Sequence, residues 1–235
     1  PFIRNFNYRN NLIVSANLIN ECITYGTKII FTSSMAVYGD QTPPFTEDKR
    51  PQPVDPYGIA KYAVECDLKL AHEQFGLRYN IVRPHNVLGI YQNIWDRYRN
   101  VIGIFIRKAL NGQPILVYGD GEQTRAFSDI KYYMEPFDKL LTGHDSETFN
   151  IGADKYFTLN EVATTVQTIA KKYGYEVPIE HGEPRHEVKH AYCDHTKAKT
   201  LLNFEDNTNL TELIESMFVW AMKQPNRKVK DMEYE

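Results

Sequence analysis

The sequence predicts an α/β fold, a doubly wound parallel sheet followed by a smaller mixed α/β region. Three observations carry this. Helical and strand-like segments alternate through the first third of the chain. One segment, Lys28-Ile29-Ile30-Phe31-Thr32, is a nearly continuous apolar run, the form of a parallel strand buried on both faces. A pair of serines then follows that strand directly, where open α/β sheets place their ligands.

The elements follow in order. Leu12, Ile13, Ala16, Leu18, Ile19, Cys22 and Ile23 recur at helical spacing, and Gly26 is placed to stop that helix. The strand at Lys28–Thr32 leads into a proline-rich loop with Pro43, Pro44, Pro51 and Pro53. Asp55-Pro56 reads as an N-cap followed by proline at the first helical position, and Gly76 as the end of a helix running to about Phe75. Tyr79-Asn80-Ile81-Val82 is the next strand. Beyond Asn86 the pattern loosens: a helix at Val101–Leu110, a strand at Ile115–Tyr118, a Gly119-Asp120-Gly121 turn and a helix at Tyr133–Leu141. Thr158-Leu159-Asn160-Glu161 has the capping-box form and opens a helix to about Tyr173. A strand at Val177–Glu180 and helices at Thr196–Leu202 and Leu210–Met222 complete the set.

Composition narrows the function. The 235 residues are 42% hydrophobic and 24% charged, with 27 basic against 30 acidic side chains and a net charge of −3. No run approaches the ~18 apolar residues of a membrane span, and no basic footprint for nucleic acid is present. Cys22, Cys66 and Cys193 are odd in number, far apart and without metal-ligand spacing, so free thiols in a reducing cytoplasm are expected and no metal site.

The chemistry concentrates on Tyr57 and Lys61. At i, i+4 on a helix they share a face. The helix N-terminus and the Lys61 ammonium are both expected to favour a tyrosinate. A phenol with a reference pKa of ~10 needs a shift of about three units, or ~4 kcal/mol, to be half ionised at neutral pH. Such a group moves protons at a sugar or alcohol hydroxyl.

Ser33-Ser34-Met35-Ala36-Val37-Tyr38-Gly39, Tyr57-Gly58-Ile59-Ala60-Lys61 and Arg83-Pro84-His85-Asn86-Val87-Leu88-Gly89 together resemble the extended short-chain dehydrogenase/reductase family. Within it they resemble the nucleotide-sugar 4-epimerases, as do Tyr118-Gly119-Asp120-Gly121-Glu122-Gln123-Thr124-Arg125 and Arg185-His186-Glu187-Val188-Lys189-His190. The resemblance implies a Rossmann-type NAD-binding domain over residues 1–89 and about 126–150. It places a nucleotide-sugar-binding domain over about 90–125 and 151–235. The family's opening strand, glycine-rich turn and helix have no counterpart here. Asn10-Asn11 resembles the asparagine pair beside the nicotinamide ribose, which leaves roughly 80 residues, about three βα units, expected upstream.

By the same resemblance Tyr57 is the catalytic acid/base, Lys61 bonds the nicotinamide ribose, and Ser34 bonds the reacting hydroxyl. Asn10, Ser33, Pro84 and His85 are expected on the cofactor side, and Asn86, Arg125, Arg185 and Ala191 on the substrate side. Arginine suits a pyrophosphate because its planar fork pairs with two oxygens. Ala191 falls near the residue that gates the sugar's C2 substituent, and Asp96-Arg97-Tyr98-Arg99-Asn100 falls in the substrate region. Where the family's 4,6-dehydratases carry an acid pair, and its decarboxylases a glutamate, this chain has Met35-Ala36, which points to epimerisation. A dehydratase or reductase, and a non-catalytic remnant of the scaffold, are the alternatives. A homodimer packed through the helices near 11–25 and 57–75 is also implied.

Overall fold

A computed structural model describes residues 4–95, 100–184 and 188–225. The chain divides into two compact units. Unit 1 comprises residues 1–85, 132–154 and 191–206, and unit 2 comprises 86–131, 155–190 and 207–235.

Unit 1 is built on a parallel sheet of three strands, β1 (Ile29–Thr32), β2 (Tyr79–Pro84) and β7 (Glu147–Ile151), in the order β1-β2-β7. The central strand β2 is buried from Tyr79 to Arg83, with Asn80 and Arg83 as buried polar residues among Tyr79, Ile81 and Val82. The first helical run starts earlier than its apolar spacing predicts, with α1 (Arg4–Asn7), a π-helical stretch Tyr8–Ile13 and α2 (Val14–Tyr25). In the π stretch, Asn10 and Asn11 donate their side-chain amides back to the Phe6 and Asn7 carbonyls at 2.9 and 3.1 Å.

Helix α3 (Pro56–Phe75) has the predicted ends. Asp55 caps it by accepting from the Gly58 amide at 2.8 Å, Pro56 occupies the first turn, and Gly76 closes it in the left-handed conformation at φ 70°. Its Val64, Leu68 and Ala71 pack with Ile19 and Cys22 of α2 and with Phe31, Tyr79 and Ile81 of the sheet. Each fully buried aliphatic side chain of this kind contributes roughly 1.5–3 kcal/mol.

Unit 2 holds short strand pairs around a helical core. β3 (Val87–Leu88) pairs with β6 (Ser128–Asp129), β4 (Ile115–Tyr118) with β9 (Ile179–Gly182), and β5 (Thr124–Ala126) with β8 (Tyr156–Thr158). His190, the first residue of β10 (His190–Ala191), meets β5 through Thr124, with its Nδ1 2.9 Å from the threonine hydroxyl. Helices α4 (Val101–Leu110), α6 (Leu159–Lys172) and α8 (Leu210–Met222) bury Phe105, Ile106, Val162, Val166, Ile214 and Phe218 together. The Thr158–Glu161 capping box forms as its sequence predicts.

The compact units and the predicted domains part at four stretches, 86–89, 126–131, 151–154 and 191–206. Residues 86–89 and 126–131 belong to unit 2, because β3 and β6 pair there. Residues 191–206, which carry α7 (Thr196–Leu202), return to unit 1. Main-chain bonds explain the return: the Phe45 amide donates to the Tyr192 carbonyl at 3.0 Å, and the Asp194 amide to the Phe45 carbonyl at 2.8 Å. Strand β7 and α5 (Met134–Thr142) also belong to unit 1; β7 carries no apolar run, since Glu147, Thr148 and Asn150 are polar.

Candidate active site

Strand β1 ends at Thr32, and Ser34 opens a 3₁₀ turn, Met35–Tyr38, by accepting the Ala36 amide on its Oγ at 3.2 Å. The first turn of α3 lies against that turn. Gly58 makes the approach possible: a Cβ there would sit 2.6 Å from the Ala36 carbonyl oxygen and 3.0 Å from the Pro53 side chain. The contact brings the Tyr57 side chain beside Ser34, whose hydroxyl acts to lower the phenol pKa. One helical turn on, Lys61 donates from Nζ to the Thr32 carbonyl at 2.8 Å and lies over the rings of Phe31 and Tyr57. Ser34, Tyr57 and Lys61 are therefore brought together, as their sequence positions predict.

The electrostatics differ from the expectation of a tyrosinate. Tyr57 is held above the ordinary phenol range, first by burial, then partly offset by the Ser34 hydroxyl and reinforced by the Asp55 carboxylate. Burial lowers Lys61 below the ordinary ammonium range. The helix-start and lysine influences are outweighed because the phenol sits among protein atoms, although 37% of the residue is exposed, while Lys61 is committed to Thr32. Side chains of this unit thus hold Tyr57 as a neutral proton donor.

Beneath the site lies a charged cluster that sequence reasoning missed. Glu65 and Arg83 are 0% and 2% exposed and pair in two places, Arg83 Nε to Oε1 at 2.9 Å and Nη2 to Oε2 at 2.6 Å. Ser33 Oγ donates to the same Oε1 at 2.6 Å. Arg83 Nη1 donates to the Tyr38 hydroxyl at 2.7 Å, which donates in turn to Asn150 Oδ1 at 2.8 Å. Ser33 and Tyr38 flank the Ser34 turn, so the ion pair anchors both ends of the loop carrying Ser34. The available signal was Glu65 itself, a carboxylate on the apolar stripe of Val64, Leu68 and Ala71.

Ser33, expected on the cofactor side, is 2% exposed and its hydroxyl is buried on Glu65. His85 is also turned inward: it is 2% exposed and its Nε2 lies 3.0 Å from His195 Nε2, with the rings stacked. Pro84 ends β2 half-buried, Asn10 is exposed with its amide on Phe6, and Ala191 is buried in β10. In unit 2, Asn86 adopts a left-handed backbone at φ 39° and donates to the Ala126 carbonyl at 2.9 Å. Arg125 in β5 donates to the Thr124 and Lys189 carbonyls at 2.8 and 3.2 Å. Arg185 and residues 96–99 lie outside the described residues.

A tyrosine and a lysine one helical turn apart, at the carboxyl end of a parallel α/β sheet and beside a strand-end serine, define the short-chain dehydrogenase/reductase class of enzyme. Comparison with known proteins narrows the class: residues 4–152 match the NAD dependent epimerase/dehydratase family, and the chain belongs to that family. It is 33% identical over 221 residues to the putative UDP-glucose 4-epimerase of Methanocaldococcus jannaschii, covering 92% of this chain and 70% of that protein. It is 31% identical over 227 residues to the UDP-N-acetyl-alpha-D-glucosaminuronate decarboxylase of Bacillus cytotoxicus, covering 89% and 68%. Among solved structures, the UDP-glucose 4-epimerase of Thermotoga maritima, crystallised with UDP-glucose, superposes with a TM-score of 0.83 at 32% identity, covering 91% of this chain and 69% of that one.

The side chains fit the family's dinucleotide. Among the described residues the Lys61 ammonium makes one hydrogen bond and keeps two donors, the number a ribose diol needs. The Tyr57 hydroxyl stands beside it on the same helical face.

Proposed function

We propose that this protein is an NAD-dependent isomerase that inverts C4 of a nucleotide sugar through a 4-keto intermediate. UDP-glucose and UDP-galactose are the leading substrates, and UDP-GlcNAc and UDP-GalNAc are accommodated. The carrying observation is the turn after Ser34, where Met35 and Ala36 supply no ionisable group next to a complete Ser34–Tyr57–Lys61 constellation. The family's dehydratases and decarboxylases, by the resemblance, carry acidic residues at that place, and epimerisation calls for none there. NAD, when bound, supplies the hydride acceptor and returns the hydride. Tyr57 takes the O4 proton and gives it back, Ser34 orients the hydroxyl by a hydrogen bond, and Lys61 holds the nicotinamide ribose and favours the ionised phenol. The Lys61 charge matters most at that moment, because the surrounding protein otherwise raises the Tyr57 pKa.

The reading extends to the units: unit 1 as the NAD-binding part, with Asn10 and Pro84 toward the cofactor, and unit 2 as the nucleotide-sugar-binding part through Asn86, Arg125 and Arg185. Ala191 is proposed beside the sugar's C2 substituent, its small side chain leaving room for an N-acetyl group. A homodimer through α2 and α3 is supported by their exposed apolar residues, Val14, Leu18, Ile59 and Leu70. A cytoplasmic setting agrees with free Cys22, Cys66 and Cys193; among the described residues no helix is long and apolar enough to cross a membrane.

The test is incubation with NAD and UDP-glucose or UDP-GlcNAc, with products resolved by chromatography. Formation of the C4 epimer supports the proposal. Release of carbon dioxide from a UDP-uronic acid, formation of a 4-keto-6-deoxy sugar, or no product at all would sink it.

A further inference from the structure

We propose that His85, Cys193 and His195 form a buried zinc-binding site in unit 1. All three are buried, and their ligand atoms lie within 4.8 Å of one another. The two Nε2 atoms already face each other at 3.0 Å. Tetrahedral zinc with Zn–N bonds of ~2.0–2.1 Å sets its nitrogens about 3.3 Å apart and a nitrogen and a sulfur about 3.6 Å apart. The imidazole pair has to open by about 0.3 Å, and the Cys193 sulfur, within 4.8 Å of both, to close by at most about 1.2 Å.

The surroundings supply the outer support that zinc sites use. His195 Nδ1 lies 3.1 Å from Asp154 Oδ1, and Lys199 bonds the other carboxylate oxygen at 2.6 Å. A carboxylate on Nδ1 fixes the tautomer with a bare Nε2, the form that ligates metal. The ligands come from distant parts of the chain, the end of β2 and the segment before α7, and Cys193 is fixed by its bridge to Phe45. A metal here would cross-link the strand end to the returning segment. Two imidazoles and a thiolate suit zinc over hard cations.

Binding balances simply. Cys193 gives up its thiol proton to solvent, and His85 moves its proton from Nε2 to Nδ1 without losing it. Burial, with the Glu47 and Asp194 carboxylates and against Arg83, favours the protonated thiol, so the cation supplies the charge that the thiolate requires.

The test uses untagged protein titrated with Zn²⁺ alone and, separately, with Co²⁺ as a spectroscopic stand-in. One equivalent of zinc is expected to bind and to raise Tm on the order of 10 °C at free zinc about a thousand times Kd. Cobalt is expected to give a thiolate charge-transfer band that survives Cys66→Ser and disappears in Cys193→Ser. Asp154→Asn keeps all three ligands and is expected to weaken zinc by about 10–100-fold. Absence of the band in the unaltered protein, its persistence in Cys193→Ser, or unchanged affinity in Asp154→Asn would each overturn the proposal.

Discussion

Glu65→Gln tests whether the buried ion pair beneath Ser34 holds the site together. The substitution preserves volume and removes the charge. Glu65 now accepts three hydrogen bonds, from Ser33 and Arg83 Nε on Oε1 and from Arg83 Nη2 on Oε2. A glutamine has one carbonyl oxygen. Its best orientation keeps the two bonds at Oε1 and turns an amide NH₂ toward Nη2, donor against donor. The 2%-exposed guanidinium then has no countercharge among the described residues. Breaking a buried pair from one side costs about 3–5 kcal/mol. The retained bonds put this variant near ~3 kcal/mol, a large fraction of the 5–15 kcal/mol that stabilises a typical domain. Urea denaturation followed by circular dichroism measures it, and the double variant Glu65→Met/Arg83→Met controls for the charge. Removing both charges is expected to recover most of the loss, since paired apolar substitutes are often neutral or better. Because Ser33 precedes Ser34, Glu65→Gln is also expected to lower kcat in folded enzyme. A loss below about 1 kcal/mol, or a double variant no better than the single, would refute the reasoning.

Three further outcomes are expected. Tyr57→Phe should lower kcat by roughly 10²–10⁴-fold with KM little changed, as measured by epimer formation, because it removes the proton carrier and no ground-state contact of comparable size. Gly58→Ala should cost activity out of proportion to stability: its Cβ would meet the Ala36 carbonyl at 2.6 Å, so α3 must move back and carry Tyr57 from Ser34. Activity unchanged in folded Gly58→Ala would refute that geometry. Burial raises the pKa of Tyr38, Tyr57 and Tyr79 above the ordinary phenol value. Below pH ~10 both folded and unfolded chains keep these protons and their contribution is whole; above it the unfolded chain loses them first, so stability falls as pH rises. Tyr38→Phe should lose about 1–3 kcal/mol at neutral pH with its Arg83 and Asn150 bonds, and the gap to the unaltered protein should narrow above pH ~10. A constant gap between pH 7 and 11 in urea midpoints would contradict this.

What could be read from the sequence was what local chemistry decides. Asp55-Pro56 and Gly76 bounded α3, Thr158 and Glu161 opened α6, and the Ile29–Thr32 run gave β1. Each is a signal contained within a few residues. What escaped depends on partners far along the chain. The two-residue strand β3 exists because β6 lies some forty positions later, as the Val87↔Ser128 register records. The return of 191–206 to unit 1 rests on Phe45, and the His85–His195 contact joins residues 110 positions apart. His85 illustrates the limit most clearly: a motif resemblance fixed its place in the chain, while the side chain's direction was decided by His195 and Asp154.

The same distinction explains why the shared helical face of Tyr57 and Lys61 is legible in the sequence and their electrostatics are not. Spacing places two side chains on a helical face whatever surrounds them, so the pair was secure. A pKa instead sums over everything within several ångströms, and here that sum includes burial, the Ser34 hydroxyl and the Asp55 cap, while Lys61 is bonded to Thr32. Asp55 acts in two opposed ways: as N-cap it fixes where Tyr57 stands, and as a carboxylate it makes Tyr57 harder to ionise. A helix start that positions a base therefore works against the basic form. On the proposed chemistry, the positive charge needed to ionise Tyr57 must come from Lys61 together with the oxidised nicotinamide. That requirement favours proton removal in the loaded enzyme and holds the phenol neutral otherwise.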